Sequence, residues 1–222
     1  MSISIDVGSV RPISSYADLQ NEIAVWLDRS GDVVTEQRIP TFIQLAEGLF
    51  NRELRTTEME VSTLLTATAE DTLLPPDFLA MRAIYIEGSP DRPLNAKSPA
   101  ALRREYDGST GAVDAYALVS GNIRLAPPPS DTTILGLDYF AAIIPLSVES
   151  PSNWLLEKHP TAYLWGALFF AEAFLDNATR AAQWKGLLDQ TLADIERTTK
   201  ANRFGGGPLI PNTVNQARGA RC

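Results

Sequence analysis

The sequence predicts an α+β fold, mainly α: a bundle of about four long helices, a small antiparallel β region inserted after the second, and an extended C-terminal tail. Three observations predict it. Apolar residues recur at helical spacing over about 15–30, 40–55, 160–175 and 178–203. Over about 57–146 the period shortens to the two-residue alternation of strands, broken by Pro and Gly. Beyond the last helix, Gly205-Gly206-Gly207-Pro208 stops the pattern and no periodicity follows. The expected organisation is an extended segment (1–14), one domain (15–204) and a flexible tail (205–222). A chain of 222 residues suits one domain with an appendage.

Residues 1–14 carry little periodic signal and are expected to be extended. Ser15 can cap the first helix, with Asp18 three positions on as a weaker relative of a capping box. Leu19, Ile23, Trp26 and Leu27 follow on one face, and Gly31 is the expected stop. Pro40 opens the second helix, where its missing N–H is not needed. Its expected buried stripe is Phe42, Leu45, Ala46, Leu49 and Leu54. Arg52 and Arg55 sit near its C-terminal end, where positive charge suits the helix dipole.

In the middle, Met59-Glu60-Val61-Ser62 alternates like a strand, Ala83–Glu87 is strand-like, and Leu73–Phe78 reads as a turn with apolar anchors. Ser98-Pro99 opens a short helix, Ala100–Tyr106. Tyr116–Val119 and Asn122–Leu125 flank Ser120-Gly121, a tight hairpin. Thr132–Ala141 reads as a further strand. Asn153–Leu156 is a turn or short helix, followed by a long helix from Pro160. Asp176 or Asn177 can cap the last helix, whose stripe is Trp184, Leu187, Leu188, Thr191 and Ile195.

A net charge of −8 argues against a dedicated nucleic-acid binder, because phosphate contacts need Lys and Arg. The single cysteine, Cys222, excludes an intrachain disulfide. No basic region precedes a long apolar run, so no signal peptide is expected. The most apolar stretch, Ala162–Leu175, is short for a bilayer span and contains Glu172. No membrane partner is expected.

Catalysis finds little footing. The single histidine, His159, precedes Pro160 at a helix start, and no nucleophile-elbow pattern accompanies it. One His and one Cys do not make a zinc site, and Gly205–Gly207 leads into Pro208 rather than a helix, so it is no phosphate loop. No cofactor is expected. Glu58 and Glu60 read as the solvent face of a strand. The enzymatic alternative is a small hydrolase acting through carboxylates such as Glu47 or Glu53, which would need two carboxyls facing across a cleft. Trp154, Tyr163, Trp165, Phe169 and Phe170 lack the interleaved basic residues of a base-stacking surface and read as core. Large apolar groups surround this helix on every side, as expected if it packs on its own bundle and on a neighbouring subunit. These five are the candidate subunit-interface residues.

Several stretches, in order, resemble the head-to-tail adaptor (connector) proteins of tailed bacteriophages. They are Tyr16-Ala17-Asp18-Leu19-Gln20 with Trp26-Leu27, then Ile39-Pro40 to Arg55. Leu74-Pro75, Asp77-Phe78-Leu79 and Arg82 follow, then Ile123-Arg124-Leu125-Ala126-Pro127 and Asn153-Trp154-Leu155-Leu156 with Tyr163-Leu164 and Gly166-Ala167-Leu168. The resemblance covers about 15–205. It implies a structural virion protein rather than an enzyme. Such adaptors form a ring, usually of twelve copies, beneath the portal protein. The ring extends the channel through which genomic DNA passes, and the tail or nozzle protein attaches below. The implied location is the virion neck, after assembly in the host cytoplasm. C-terminal tails in similar proteins reach along the portal; here Pro208, Leu209, Ile210, Pro211, Arg218 and Arg221 are the inferred portal-binding residues. The structural alternative is another neck or tail-completion protein.

Overall fold

The structure, a computed structural model, describes residues 12–28, 31–89 and 92–203. In chain order the elements are helices α1 (Tyr16–Trp26), α2 (Val33–Glu36) and α3 (Ile39–Glu53), a 3-10 turn (Thr57–Met59), strands β1 (Glu60–Ala67), β2 (Asp71–Leu73), β3 (Phe78–Ile86) and β4 (Asn95–Ala96), helix α4 (Pro99–Tyr106), strands β5 (Ala115–Val119), β6 (Asn122–Ala126) and β7 (Thr133–Ala141), and helices α5 (Trp154–Lys158), α6 (Pro160–Phe174) and α7 (Ala178–Arg203).

This corrects the expected bundle of about four long helices with a small β insert. The described residues hold seven α-helices and two sheets, and α7 alone exceeds fifteen residues. Periodicity reports which face of a segment is buried, not what it is buried against. The central residues are therefore not an appendage of the helices: they build a sandwich with its own interior. One sheet runs β1-β7-β3 and the other β2-β6-β5-β4. Leu135, Leu137 and Ile84 from the first meet Ile123 and Leu125 from the second. Helix α4 covers the far face of the second sheet, with Leu102 against Ala115, Ala117 and Ala126. The Ser120-Gly121 hairpin forms as its turn chemistry requires, with both residues at positive φ and Val119 opposite Asn122.

Helix α6 is the hub of the other half. It packs against α1, α3, α5 and α7 of its own chain. Gly166 lets α3 come close: a Cβ there would lie 2.9 Å from Ala46 Cβ and 3.0 Å from Phe50 Cζ. Phe140, at the end of β7, joins the helical cluster and ties the halves together.

Local signals fared unevenly. Ser15 caps α1, its Oγ accepting from Asp18 N–H at 3.2 Å. Arg55 donates to the carbonyls of Asn51 and Leu54, closing the end of α3. Helix α1, however, stops at Trp26, well before Gly31; Asp28 supplies the left-handed residue, at φ 54°. Glu58 lies in the 3-10 turn rather than on the strand. Leu45 is 46% exposed while Glu47 is buried, so the stripe of α3 is rotated from the expected one.

Candidate functional site

Two constellations stand out from the packing. The first is a buried polar network under the segment 142–153, which leads from β7 to α5. On α3, Glu47 and Asn51 are one turn apart and face this segment. Asn51 Oδ1 accepts from Ile143 N–H at 2.9 Å, and Glu47 Oε1 accepts from Leu146 N–H at 2.7 Å. The Tyr163 hydroxyl donates to Glu47 at 3.2 Å and accepts from Asn153 Nδ2 at 2.7 Å. Asn153 Nδ2 also reaches Ile144 O, and its Oδ1 caps α5 through Leu156 N–H. Burial raises the Glu47 carboxyl above the ordinary carboxylate value, against the lowering effect of its two hydrogen bonds. Burial likewise pushes the Tyr163 hydroxyl far up, so it remains a neutral donor. The network fastens an irregular segment to the helices.

Its chemistry is that of a strap. Glu47 opens onto a shallow hollow lined by Tyr16, Pro40, Thr41, Ile43, Gln44 and Leu146, with no second carboxylate. Glu53 lies in a different hollow, with Asp189 and Glu196. Glu47 and Glu53, the carboxylates named for a hydrolase, therefore line separate hollows. His159 links α5 to α6 without a side-chain cap bond, and burial lowers its pKa. Among the described residues no group of three or more His, Cys, Asp or Glu could hold a metal ion.

The second constellation is an aromatic shoulder where α1, α6 and α7 meet. Trp165 stacks on Trp184 with centroids 5.3 Å apart and rings 7° from parallel. Trp26 stands edge-on to both, at 5.3 and 5.6 Å. Arg180 lies over Trp184 at 6.0 Å and pairs with the buried Glu172 at 3.0 Å. The Trp184 indole N–H is buried with no partner among the described residues. Trp26 remains 42% exposed and Phe174 56% exposed, and Phe174 touches Phe42. Phe169 and Phe170 are half-buried neighbours on α6.

Of the five residues expected at a subunit interface, Trp165, Phe169 and Phe170 lie half-buried on α6, and Trp154 lies half-buried at the start of α5. Tyr163 does not join them. It is fully buried, edge-on to Phe50 at 5.2 Å, and belongs to the strap. The apolar crowding around α6 is met by four helices of its own chain, while Trp165, Phe169 and Phe170 stay half-buried and Phe174 is exposed. Pro208, Leu209, Ile210, Pro211, Arg218 and Arg221 lie outside the described residues.

Reasoning from the sequence named Glu47 only for the hydrolase alternative and Asn153 only as the start of a short helix; it missed their joining with Asn51 under the segment 142–153, and it missed the meeting of Trp26 with Trp184. One signal existed: Glu47 falls four residues after Ile43 and three before Phe50, inside an apolar stripe. Nothing local announces that three tryptophans from three helices converge.

The sequence model of the SU10 adaptor protein family matches residues 14–211. The chain belongs to the SU10 adaptor protein family. It is therefore a phage head-tail adaptor, a structural protein that contacts other virion components. That match takes in both constellations and runs on through Pro211, short of Arg218 and Arg221. No curated protein matches the adaptor. No helix among its described residues is long and apolar enough to cross a membrane.

Proposed function

We propose that this adaptor forms a ring, of twelve copies, beneath the portal protein in the neck of the virion. The ring assembles in the host cytoplasm, joins the DNA-filled head to a tail or nozzle protein, and extends the DNA channel. The observation that carries this reading is the family match over 14–211. The exposed rim of the aromatic shoulder supports it, because a monomer gains little by leaving large aromatics half in water. Trp154, Trp165, Phe169 and Phe170 form the subunit contact, with Tyr163 as the buried support behind them. Residues 15–204 act as one folded unit, and the tail, through Pro208, Leu209, Ile210, Pro211, Arg218 and Arg221, engages the portal. A net charge of −8 lets DNA slide past without sticking.

Native mass spectrometry of the purified chain, alone and with its portal protein, tests this. One adaptor per portal subunit is the expected complex. A chain that stays monomeric and ignores the portal would refute it. Deleting 205–222 is expected to weaken portal binding while far-UV circular dichroism stays unchanged; unchanged affinity would remove the tail from the mechanism.

A further inference from the structure

The two edges of the β1-β7-β3 sheet are finished differently. On β3 the register with β7 shifts twice, between Phe78 and Ala80 and between Met81 and Ala83. Pro93 then bridges Tyr85, and Leu94 N–H donates to Ile84 O at 2.8 Å. That edge is bent and occupied. Strand β1 pairs with β7 over eight residues without irregularity, from Glu60 opposite Phe140 to Ala67 opposite Thr133. It contains no Pro, Gly or Lys, and its one charge is at its first residue. Among the described residues no backbone group pairs with the outer edge of Val61–Thr66. Natural edges are normally blunted by charge, proline or a bulge, because open ones recruit strands.

The apolar face of the sheet is also unfinished there. Val61, Thr63 and Leu65 extend the row of Tyr139, Leu137 and Leu135. The β7 members are buried, whereas Val61 is 38% exposed. Ser62, on the opposite face, bonds Asp138 at 2.6 Å, and Leu64 and Ile134 on that outer face are 60% and 37% exposed. A strand that finishes the interior face of this sheet must present apolar residues to that side. The chain carries such a segment outside the described residues: Ser2-Ile3-Ser4-Ile5-Asp6-Val7, ended by Gly8. Its three apolar residues are all β-branched and alternate with Ser, Ser and Asp. Its single apolar row matches the interior face of the edge, where Val61, Thr63 and Leu65 lie.

We infer that residues 2–7 of one copy add as a strand to the β1 edge of the next copy, placing Ile3, Ile5 and Val7 beside Val61, Thr63 and Leu65. This rests on the ring reading above. Every copy then offers one strand and one edge, a heterologous contact that repeats and closes by rotation. The backbone supplies the bonds and the alternating side chains set the facing.

Two full-length variants in a Cys222→Ser background test it, Ser4→Cys and Ser62→Cys, both on the outer face. They are mixed with portal protein and treated with a flexible bis-maleimide. The expected result is a crosslinked pair that is lost when either variant is treated alone. A purely intrachain product in the Ser4→Cys/Ser62→Cys double variant, or no product although the ring forms, overturns the inference. Ile5→Lys gives a second measurement: the fold, read by circular dichroism, is retained and ring closure, read by native mass spectrometry, is lost. A ring that closes normally with Ile5→Lys sinks the strand exchange and leaves the ring standing. If the unmodified chain forms no ring, the ring reading fails and the exchange falls with it.

Discussion

The helical half keeps a carboxylate, a phenol and a carboxamide bonded to one another in its interior, whereas the sandwich interior around Leu135, Leu137, Ile123 and Leu125 is mainly apolar, its one phenol, Tyr139, bonding Asp77. The difference follows from how each half satisfies its backbone. Strands bond to one another, so paired sheets need no side chain to fasten them. Helices satisfy only themselves, and the irregular segment 142–153 between β7 and α5 has no ladder to join. Glu47, Asn51 and Asn153 do for it what a neighbouring strand does for β7. A polar group inside the helical half is thus a fastening, at the cost of its desolvation.

The strongest challenge to this comparison is to cut a large side chain from each interior. Phe50→Ala is expected to cost about 3–5 kcal/mol and Leu137→Ala about 2–5 kcal/mol. All four tryptophans, Trp26, Trp154, Trp165 and Trp184, lie in the helical half. Urea unfolding followed by tryptophan fluorescence therefore watches that half alone. If the halves unfold as one unit, Leu137→Ala moves the fluorescence midpoint. A fluorescence midpoint that ignores Leu137→Ala means the halves unfold separately.

Trp184→Ala comes next, at about 1–3 kcal/mol, because it removes one stacked and one edge-on partner from a shoulder that is only half buried. Thermal melts of the free chain check the cost. A larger cost in the portal complex than in the free chain would tie the shoulder to assembly.

Glu47→Gln sharpens the contrast through pH. The folded-state pKa of Glu47 is raised, so ionisation disfavours the fold. Stability linked to this group is complete below its unfolded value and is lost as pH rises through its folded value. The Gln variant cannot ionise, and its amide oxygen can still accept from Leu146 N–H. The melting temperature of Glu47→Gln is therefore expected to gain on the unmodified chain from acid to neutral pH. A difference that stays constant with pH would show that Glu47 does not titrate in the fold.

The smallest effect concerns a link between the halves. Lys158 on α5 donates to Glu58 in the 3-10 turn at 2.8 Å, and both are partly exposed. Lys158→Ala is expected to cost about 0.2–1 kcal/mol, and the loss should vanish in high salt. A salt-independent loss would mean that the alkyl stem of Lys158 packs instead.

The Ser15 cap, the Pro40 and Pro160 starts and the Ser120-Gly121 hairpin were legible in the chain because each depends on residues a few positions apart. The family and the opening of its match were legible too, since ordered short motifs survive without knowledge of contacts; the match runs on to 211, past the expected end near 205. Leu45 and Glu47 were not: two residues apart on one helix, they exchange expected roles because Leu146 and Tyr163 arrive from about a hundred residues away. The bundle expectation failed for the same reason. Amphipathic segments state that a face must be covered, and either a helix or a sheet can cover it.

By itself, then, the sequence determined local starts, stops and turns, the strand-forming character of the middle, and membership of the adaptor family. Only the tertiary structure decided that the middle closes into a two-sheet sandwich, that Tyr163 supports a strap rather than a surface, that three tryptophans meet, and that no strand among the described residues pairs with the outer edge of β1. Caps and turns are set by bonds across a few residues. Burial, register and edges are set by partners that the chain brings together only on folding.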